Sequence, residues 1–292
     1  MNKIKFPLEM AMKLLHFYTP VFLFLFITIS PARAQYFYKD IWNNQQLTKE
    51  FSILKNESLK TVKIHSYEDD GEPSEGFFCE KKINKNYSQS EMISKSYITG
   101  QALLISDYNN DGHVVKTMDE TPTASSITSY EYNDKGNPSL VSIVTKGDEE
   151  NDSIIETHEY FYDADGKPVK MERKKNSLLV STIHFVSDDK GKVIEENVQG
   201  TNTTDKKYFY YYDDKNRLTD VVHFNERAGR LLPDYMYEYN SANQLVQMIS
   251  TAVGGDNYFI WRYTYNDKKL RETEKCYSKE KRMLGKIEYE YK

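Results

Sequence analysis

The sequence predicts an all-β fold: an extended antiparallel meander of about eight or nine repeated hairpins, preceded by a short N-terminal helix and a signal peptide. Three observations predict it. A step of the form Tyr, Asn or Asp, two free positions and Gly recurs along most of the chain. From Val186 onward its anchors lie 26, 27, 26 and 26 residues apart. The chain also holds 24 Tyr and 14 Phe, residues that favour a pleated, half-buried surface.

Residues 1–34 read as a secretory leader. Lys3, Lys5 and Lys13 give the positive end, Val21 to Ile29 the apolar run, and "ARA" before Gln35 a small-x-small cleavage site near Ala34/Gln35. Met12 is an alternative start that shortens the charged end. The apolar run is shorter than the roughly 20 residues that span a bilayer. The expected location is therefore secreted or periplasmic. Residues 35–60 form a cap segment: Leu47, Phe51 and Leu54 fall at helical spacing, predicting a short helix over the first exposed strand edge.

Residues 61–292 are the hairpin repeat domain. Its turns begin at Tyr67, Tyr108, Tyr132, Tyr162, Tyr212, Tyr239 and Tyr265, with a variant at Val186 and the start of a further unit at Tyr291. A second aromatic two residues earlier, as in Tyr130/Tyr132 and Tyr237/Tyr239, puts both rings on one strand face. Asn or Asp opens each turn because its side chain bonds the backbone beyond it. Gly71, Gly112, Gly136, Gly166 and Gly191 stand where φ must be positive, with Asn216 and Asn243 as substitutes. That pattern fits a type I turn closed by a G1 bulge. The return connections, such as "NERAGRLLPD" (225–234) and "SKEKRMLGK" (278–286), vary freely. If a partner binds, the variable-loop edge or the adjoining aromatic face is its expected place.

"YFYDADGKPVK", "YYYDDKNRLTDVV" and "YEYNSANQLVQ" resemble the YD repeats of RHS-type proteins. The resemblance covers Tyr67 to the end of the chain and is strongest from Tyr130 onward. It implies an extended, curved β-sheet scaffold outside the cytoplasm and transfers no catalytic residue.

Chemistry is sparse. Without residues 1–34, the chain carries 35 basic and 43 acidic side chains, a formal charge of −8. That excludes nucleic acid as a natural partner. Asp107, Asn109 and Asp111 match the start of an EF-hand loop, yet its twelfth position is Met118 rather than Glu, and sister turns put Lys135 and Lys215 in place of Asp111. They are a weak calcium candidate within what reads as a hairpin turn. His65, His113, His158, His184 and His223 sit at unmatched offsets from their anchors, so no metal set or cofactor is expected. Cys79 and Cys276 are too few for a disulfide scaffold, and their pairing is open. No catalytic motif is present, so an enzyme is not expected. Charges on both faces of "PVKMERKK" and "KVIEENV" argue against a lipid-embedded barrel after leader cleavage.

The functional expectation is an exported, non-enzymatic β-repeat scaffold or binding protein with an unknown protein, glycan or cell-envelope partner. The alternatives are a periplasmic carrier holding an apolar ligand on a curved sheet, and a glycan-binding or glycan-processing protein.

Overall fold

The computed structural model describes residues 36–97, 99–147, 153–201, 205–225, 228–252 and 257–292. The leader reading lies outside them. Among the described residues, one helix, α1 (Tyr38–Asn56), precedes eighteen strands. The first nine are β1 (Thr61–Tyr67), β2 (Phe78–Ile83), β3 (Gln89–Ser96), β4 (Gly100–Tyr108), β5 (Val114–Glu120), β6 (Ser125–Tyr132), β7 (Pro138–Lys146), β8 (Ser153–Tyr162) and β9 (Pro168–Lys175). The other nine are β10 (Leu178–Ser187), β11 (Val193–Gly200), β12 (Lys206–Tyr212), β13 (Leu218–Asn225), β14 (Arg230–Tyr239), β15 (Leu245–Thr251), β16 (Tyr258–Tyr265), β17 (Arg271–Ser278) and β18 (Met283–Tyr291).

Each strand pairs antiparallel with its chain neighbours, and β1 pairs with both β2 and β18. Val62 lies opposite Tyr291 and Tyr67 opposite Lys286. The sheet therefore closes into an eighteen-stranded barrel. This overturns the extended curved meander, and with it the likeness to YD-repeat sheets. The all-β class stands. Closure satisfies the backbone groups that two free edges would leave unpaired. The seam is continued below the strands, where Lys60 and Thr61 N–H both donate to the Lys292 carbonyl, at 2.7 and 2.8 Å.

The tight turns share one construction. In the 109–113 turn, Gly112 N–H donates to the Asn109 carbonyl at 3.0 Å, and Asn109 Oδ1 accepts from Asp111 and His113 N–H. Gly112 has φ +83°, and Asn216 takes its place at φ 58° in the 213–217 turn. A register shift beside each anchor, as between Glu131 and Tyr132, marks the bulge. Tyr67 is the exception. Its turn has the same backbone bonds, but it stands at the opposite end of the barrel, with its ring outward and its hydroxyl on Glu288 at 3.0 Å. At the anchor end the corresponding hairpin is instead 84–88, where Asn84 Oδ1 accepts from Ser88 and Gln89 N–H.

The aromatic pairs point into the barrel. Six anchors lock it: Tyr132, Tyr162, Tyr212, Tyr239, Tyr265 and Tyr291 donate to the carbonyls of Val114, Pro138, Val193, Leu218, Leu245 and Arg271, at 2.5–2.8 Å. Each acceptor is the first residue of the preceding strand, so every lock ties one hairpin to the one before it. Tyr239→Phe is expected to lower stability by about 1 kcal/mol, the net worth of one such bond, in urea melts.

The helix is not a cover for a strand edge. It runs inside the barrel at the tight-turn end and touches walls on opposite sides. Phe51 stacks on Tyr108 of β4 (3.7 Å), Asn44 donates to Tyr132 of β6 (2.7 Å), and Trp42 packs on Tyr237 of β14 (5.5 Å). Phe51 and Leu54 are buried, as their spacing predicts, but Leu47 is exposed and Ile41 and Asn44 are buried instead. None of the described helices is long and apolar enough to cross a membrane.

Candidate functional site

A helix begins with four N–H groups that have no partner inside it. Here the N-cap is Phe37, which has no capping side chain. The barrel wall supplies the acceptor. Glu196 of β11 points inward and is fully buried; its carboxylate accepts from Phe37 N–H at 2.9 and 3.0 Å, from Tyr38 N–H at 2.9 Å and from Tyr210 OH at 2.7 Å. Burial pushes its carboxyl up to about 7 against the pull of those donors, with the Asp40 charge adding to the rise.

A second anchor lies across the first turn of α1. His158 of β8 is buried, with Nδ1 2.8 Å from Asp40 of the helix and Nε2 2.8 Å from Glu156 of its own strand. Arg173 of β9 binds Glu156 through two nitrogens, at 2.8 and 2.7 Å. Tyr160 OH donates to Asp40 at 2.9 Å. Burial by itself would lower the imidazolium; the hydrogen bonds to Asp40 and Glu156, then their charges, outweigh it and lift it to about 9. Glu156 is held down at about 2, because bonds from His158 and Arg173 outweigh its own burial.

Above the helix start lies an aromatic level. Tyr36 is ringed by Tyr208, Tyr210 and Tyr235 at 5.8–6.2 Å between ring centres. Trp261 and Tyr263 of β16 extend the ring, with Met248 and Cys276 directly across from Trp261. Toward the variable-loop end the inward positions become half-buried: Ser250, Phe259, Val198, Leu104 and Ile143. There His223 Nδ1 pairs with Asp234 at 2.9 Å, their side chains 28% and 13% exposed. The lumen is thus stoppered at the tight-turn end and lined with mixed aromatic, aliphatic and paired polar groups beyond the stopper.

The outward face is different in kind. Lys170, Glu172, Lys174 and Glu159 make a ladder of ion pairs on β8 and β9 at 2.9–3.3 Å. Lys207–Glu195 and Lys286–Glu288 continue it elsewhere around the barrel. One outward apolar row, Ile105, Met118, Ile127, Val144 and Ile155, runs in direct register across β4 to β8 and ends at Asn176, in the turn after β9.

The sequence-predicted groups are dispersed. Asp107 faces outward and accepts from Gln89 Nε2 at 2.8 Å, while Asn109 spends its oxygen on the turn. His65 faces Glu290 outside, His113 lies against Tyr132, and His184 is outward on β10. Among the described residues, His158 and His223 stand at inward strand positions, and His113 reaches Thr48 of α1 from the 109–113 turn, at 3.5 Å. The described residues hold no metal-binding group of three His, Cys, Asp or Glu. Cys79 and Cys276 are free and buried, their thiols pushed up to about 12 by burial. They lie on β2 and β17 with β1 and β18 between, about 14 Å by strand spacing, which is too far for a disulfide. The 278–282 connection is itself a tight turn, with Lys281 at φ 63° and Ser278 N–H on Arg282 carbonyl. The 225–234 connection lies partly outside the described residues. Sequence reasoning missed Glu196 and Asp40, because one buried acid among many carries no local signal.

No family model matches the chain. No curated protein matches it. Among solved structures it is similar to a porin-like protein from Bacteroides uniformis, at 9% identity and TM-score 0.37 over 80% of this chain and 98% of that one. A porin-like protein from Bacteroides vulgatus follows, at 11% identity and TM-score 0.25 over 80% and 98%. A DUF1329 family protein from Desulfovibrio piger gives 11% identity and TM-score 0.16 over 86% and 91%. Likenesses this weak transfer no function, and the barrel closure stands on the strand pairing itself.

Proposed function

We propose that this chain is an exported, non-enzymatic binding or carrier barrel that holds a small apolar ligand in its lumen, between α1 and the variable-loop end. The observation that carries the reading is the inside-out contrast of the wall. Tyr235, Trp261, Met248, Val198 and Phe259 face inward, whereas charged ladders interrupt the outer face. A lipid-embedded barrel needs the opposite, a continuous apolar band outside. The polar lumen groups support a non-catalytic role: His158 has both ring nitrogens engaged, and Glu156 is shared with Arg173. Inward aromatics with locked hydroxyls also disfavour stacking on an external glycan.

Native mass spectrometry of protein from its own host tests this. A reproducible apolar adduct is expected. Ser250→Trp, which fills the lumen, is expected to lose the adduct, while Gln247→Trp on the outer face of the same strand keeps it. Retention by both folded variants, or no adduct in the parent protein, would sink the reading.

A further inference from the structure

Nearly every inward tyrosine hydroxyl that the fold buries has a job. At the position two before the anchor, Tyr160 donates to Asp40, Tyr210 to Glu196 and Tyr289 to Glu274. Tyr263 occupies that same repeat position on β16, yet its hydroxyl has no hydrogen-bond partner. Two residues along the same strand face, Trp261 Nε1 has none either. Both side chains are nine-tenths or more buried, each residue 4% exposed. Buried donors without acceptors are rare in folded proteins, and each costs about 1–3 kcal/mol of desolvation. Two side by side on one inward face form a paired exception.

Their surroundings define what would satisfy them. An indole N–H only donates, and a phenol O–H donates readily, so the complement carries oxygen acceptors. The nearest charges cancel: Arg271 binds Glu274 directly across from Tyr263, and its guanidinium lies 4.5 Å over the Tyr263 ring. A net charge on the ligand would gain nothing there and would lose its hydration. The walls are flat rings and sulfur-bearing side chains. Tyr235 and Tyr237 lie parallel within 5°, Trp42 packs on Tyr237, and Met248 and Cys276 flank Trp261.

We propose that Trp261 Nε1 and Tyr263 OH form a lumenal recognition site for a flat, neutral ring compound bearing carbonyl oxygens, of the quinone type. This rests on the lumenal-carrier reading above and specifies the ligand's chemistry. The two donors take the carbonyl oxygens, and the aromatic level encloses the ring. Such a pairing accounts for two neighbouring orphan donors on one strand face; the other buried polar atoms without a partner, Tyr87 OH, Asp119 Oδ1 and Ser187 Oγ, are scattered over separate elements.

The test uses the full chain and a matched pair of probes in equilibrium dialysis. Menadione carries two ring carbonyls; 2-methylnaphthalene has the same body without them. Menadione is expected to saturate one site and to bind at least tenfold more tightly than 2-methylnaphthalene. Tyr263→Phe and Trp261→Phe are each expected to weaken menadione about 2- to 12-fold, the range for one net hydrogen bond, and to leave 2-methylnaphthalene unchanged. In ligand-free protein, Tyr263→Phe is expected to melt no lower than the parent, unlike Tyr239→Phe. Equal affinity for the two probes, no saturable menadione binding, or a melting loss in Tyr263→Phe equal to that of Tyr239→Phe would each overturn the proposal. An apolar host adduct without any oxygen acceptor would overturn it while leaving the carrier reading intact.

Discussion

Glu196→Ala is expected to cost about 3 kcal/mol of stability and to loosen the helix from the barrel. The substitution strands Phe37 N–H, Tyr38 N–H and Tyr210 OH in a dry interior, and each unsatisfied donor costs about 1–3 kcal/mol. Part of that loss is offset, because the carboxylate itself is poorly solvated there. Trp42, which rests on Tyr237 from the second turn of α1, reports the loosening as a red shift in emission. Glu196→Gln keeps an acceptor oxygen for the helix and is expected to lose roughly 1 kcal/mol. It also carries a pH signature. The Glu196 carboxyl is raised in the fold, to about 7, so the folded state holds its proton more tightly than the unfolded chain. Stability from this group is full below the ordinary glutamate range and declines as pH rises from there through about 7. Thermal melts across that window should show the decline in the parent and a flatter profile in Glu196→Gln. Equal slopes in both proteins would refute the assignment.

His158→Ala is expected to be at least as damaging, about 3 kcal/mol, because it removes a buried cation from between two carboxylates and leaves the half-buried Asp40 without it. The pH dependence has a defined sign. The folded imidazolium is raised from 6.5 to about 9. Its contribution, on the order of 3 kcal/mol, is therefore complete below about 6.5 and lost as pH climbs through about 9. Glu156, lowered to about 2, acts in reverse: its contribution is present above the usual carboxylate range and fades as pH falls through about 2. The two limits bracket a plateau on which the His158 cluster is fully charged. Urea melts of the parent at pH 6 and pH 9.5 should differ, and those of His158→Ala should differ much less. The His158 resonance, identified by its absence from His158→Ala, titrating near 6.5 instead would contradict the buried ion cluster.

Much of the local fold was legible. The alternation of Tyr-x-Tyr predicts one aromatic face per strand, and the turn grammar predicts where the chain reverses. Asn109 and Asn133 open turns because their side-chain oxygens accept from N–H groups two and four residues on. Those are short-range bonds, so a window of seven residues contains them. The turn at Tyr67 shows the limit of that logic. Its local bonds match the others, but its end of the barrel is set by which strands it joins.

The candidate site was scarcely legible, for the same reason. His158 reads as a surface histidine until Asp40, 118 residues away, comes within 2.8 Å of it. Glu196 sits in "KVIEENV" beside Glu195, and nothing in that string separates them. Alternation puts them on opposite faces: Glu195 pairs with Lys207 outside, and Glu196 caps a helix inside.

By itself, then, the sequence determined strands, turns, which residues share a strand face, and the acidic surface charge. Tertiary structure alone decided that the aromatic face turns inward, that α1 occupies the lumen, and that the sheet closes. The physical reason is that an antiparallel meander has the same side-chain alternation and the same turns whether open or closed. Closure depends on one extra ladder, between β1 and β18, whose partners are more than two hundred residues apart, such as Val62 and Tyr291. That ladder is built mainly of backbone hydrogen bonds, which nearly any residue can make, and its few side-chain pairs, such as Tyr67–Glu288 and His65–Glu290, carry no local signal that matches them across that separation.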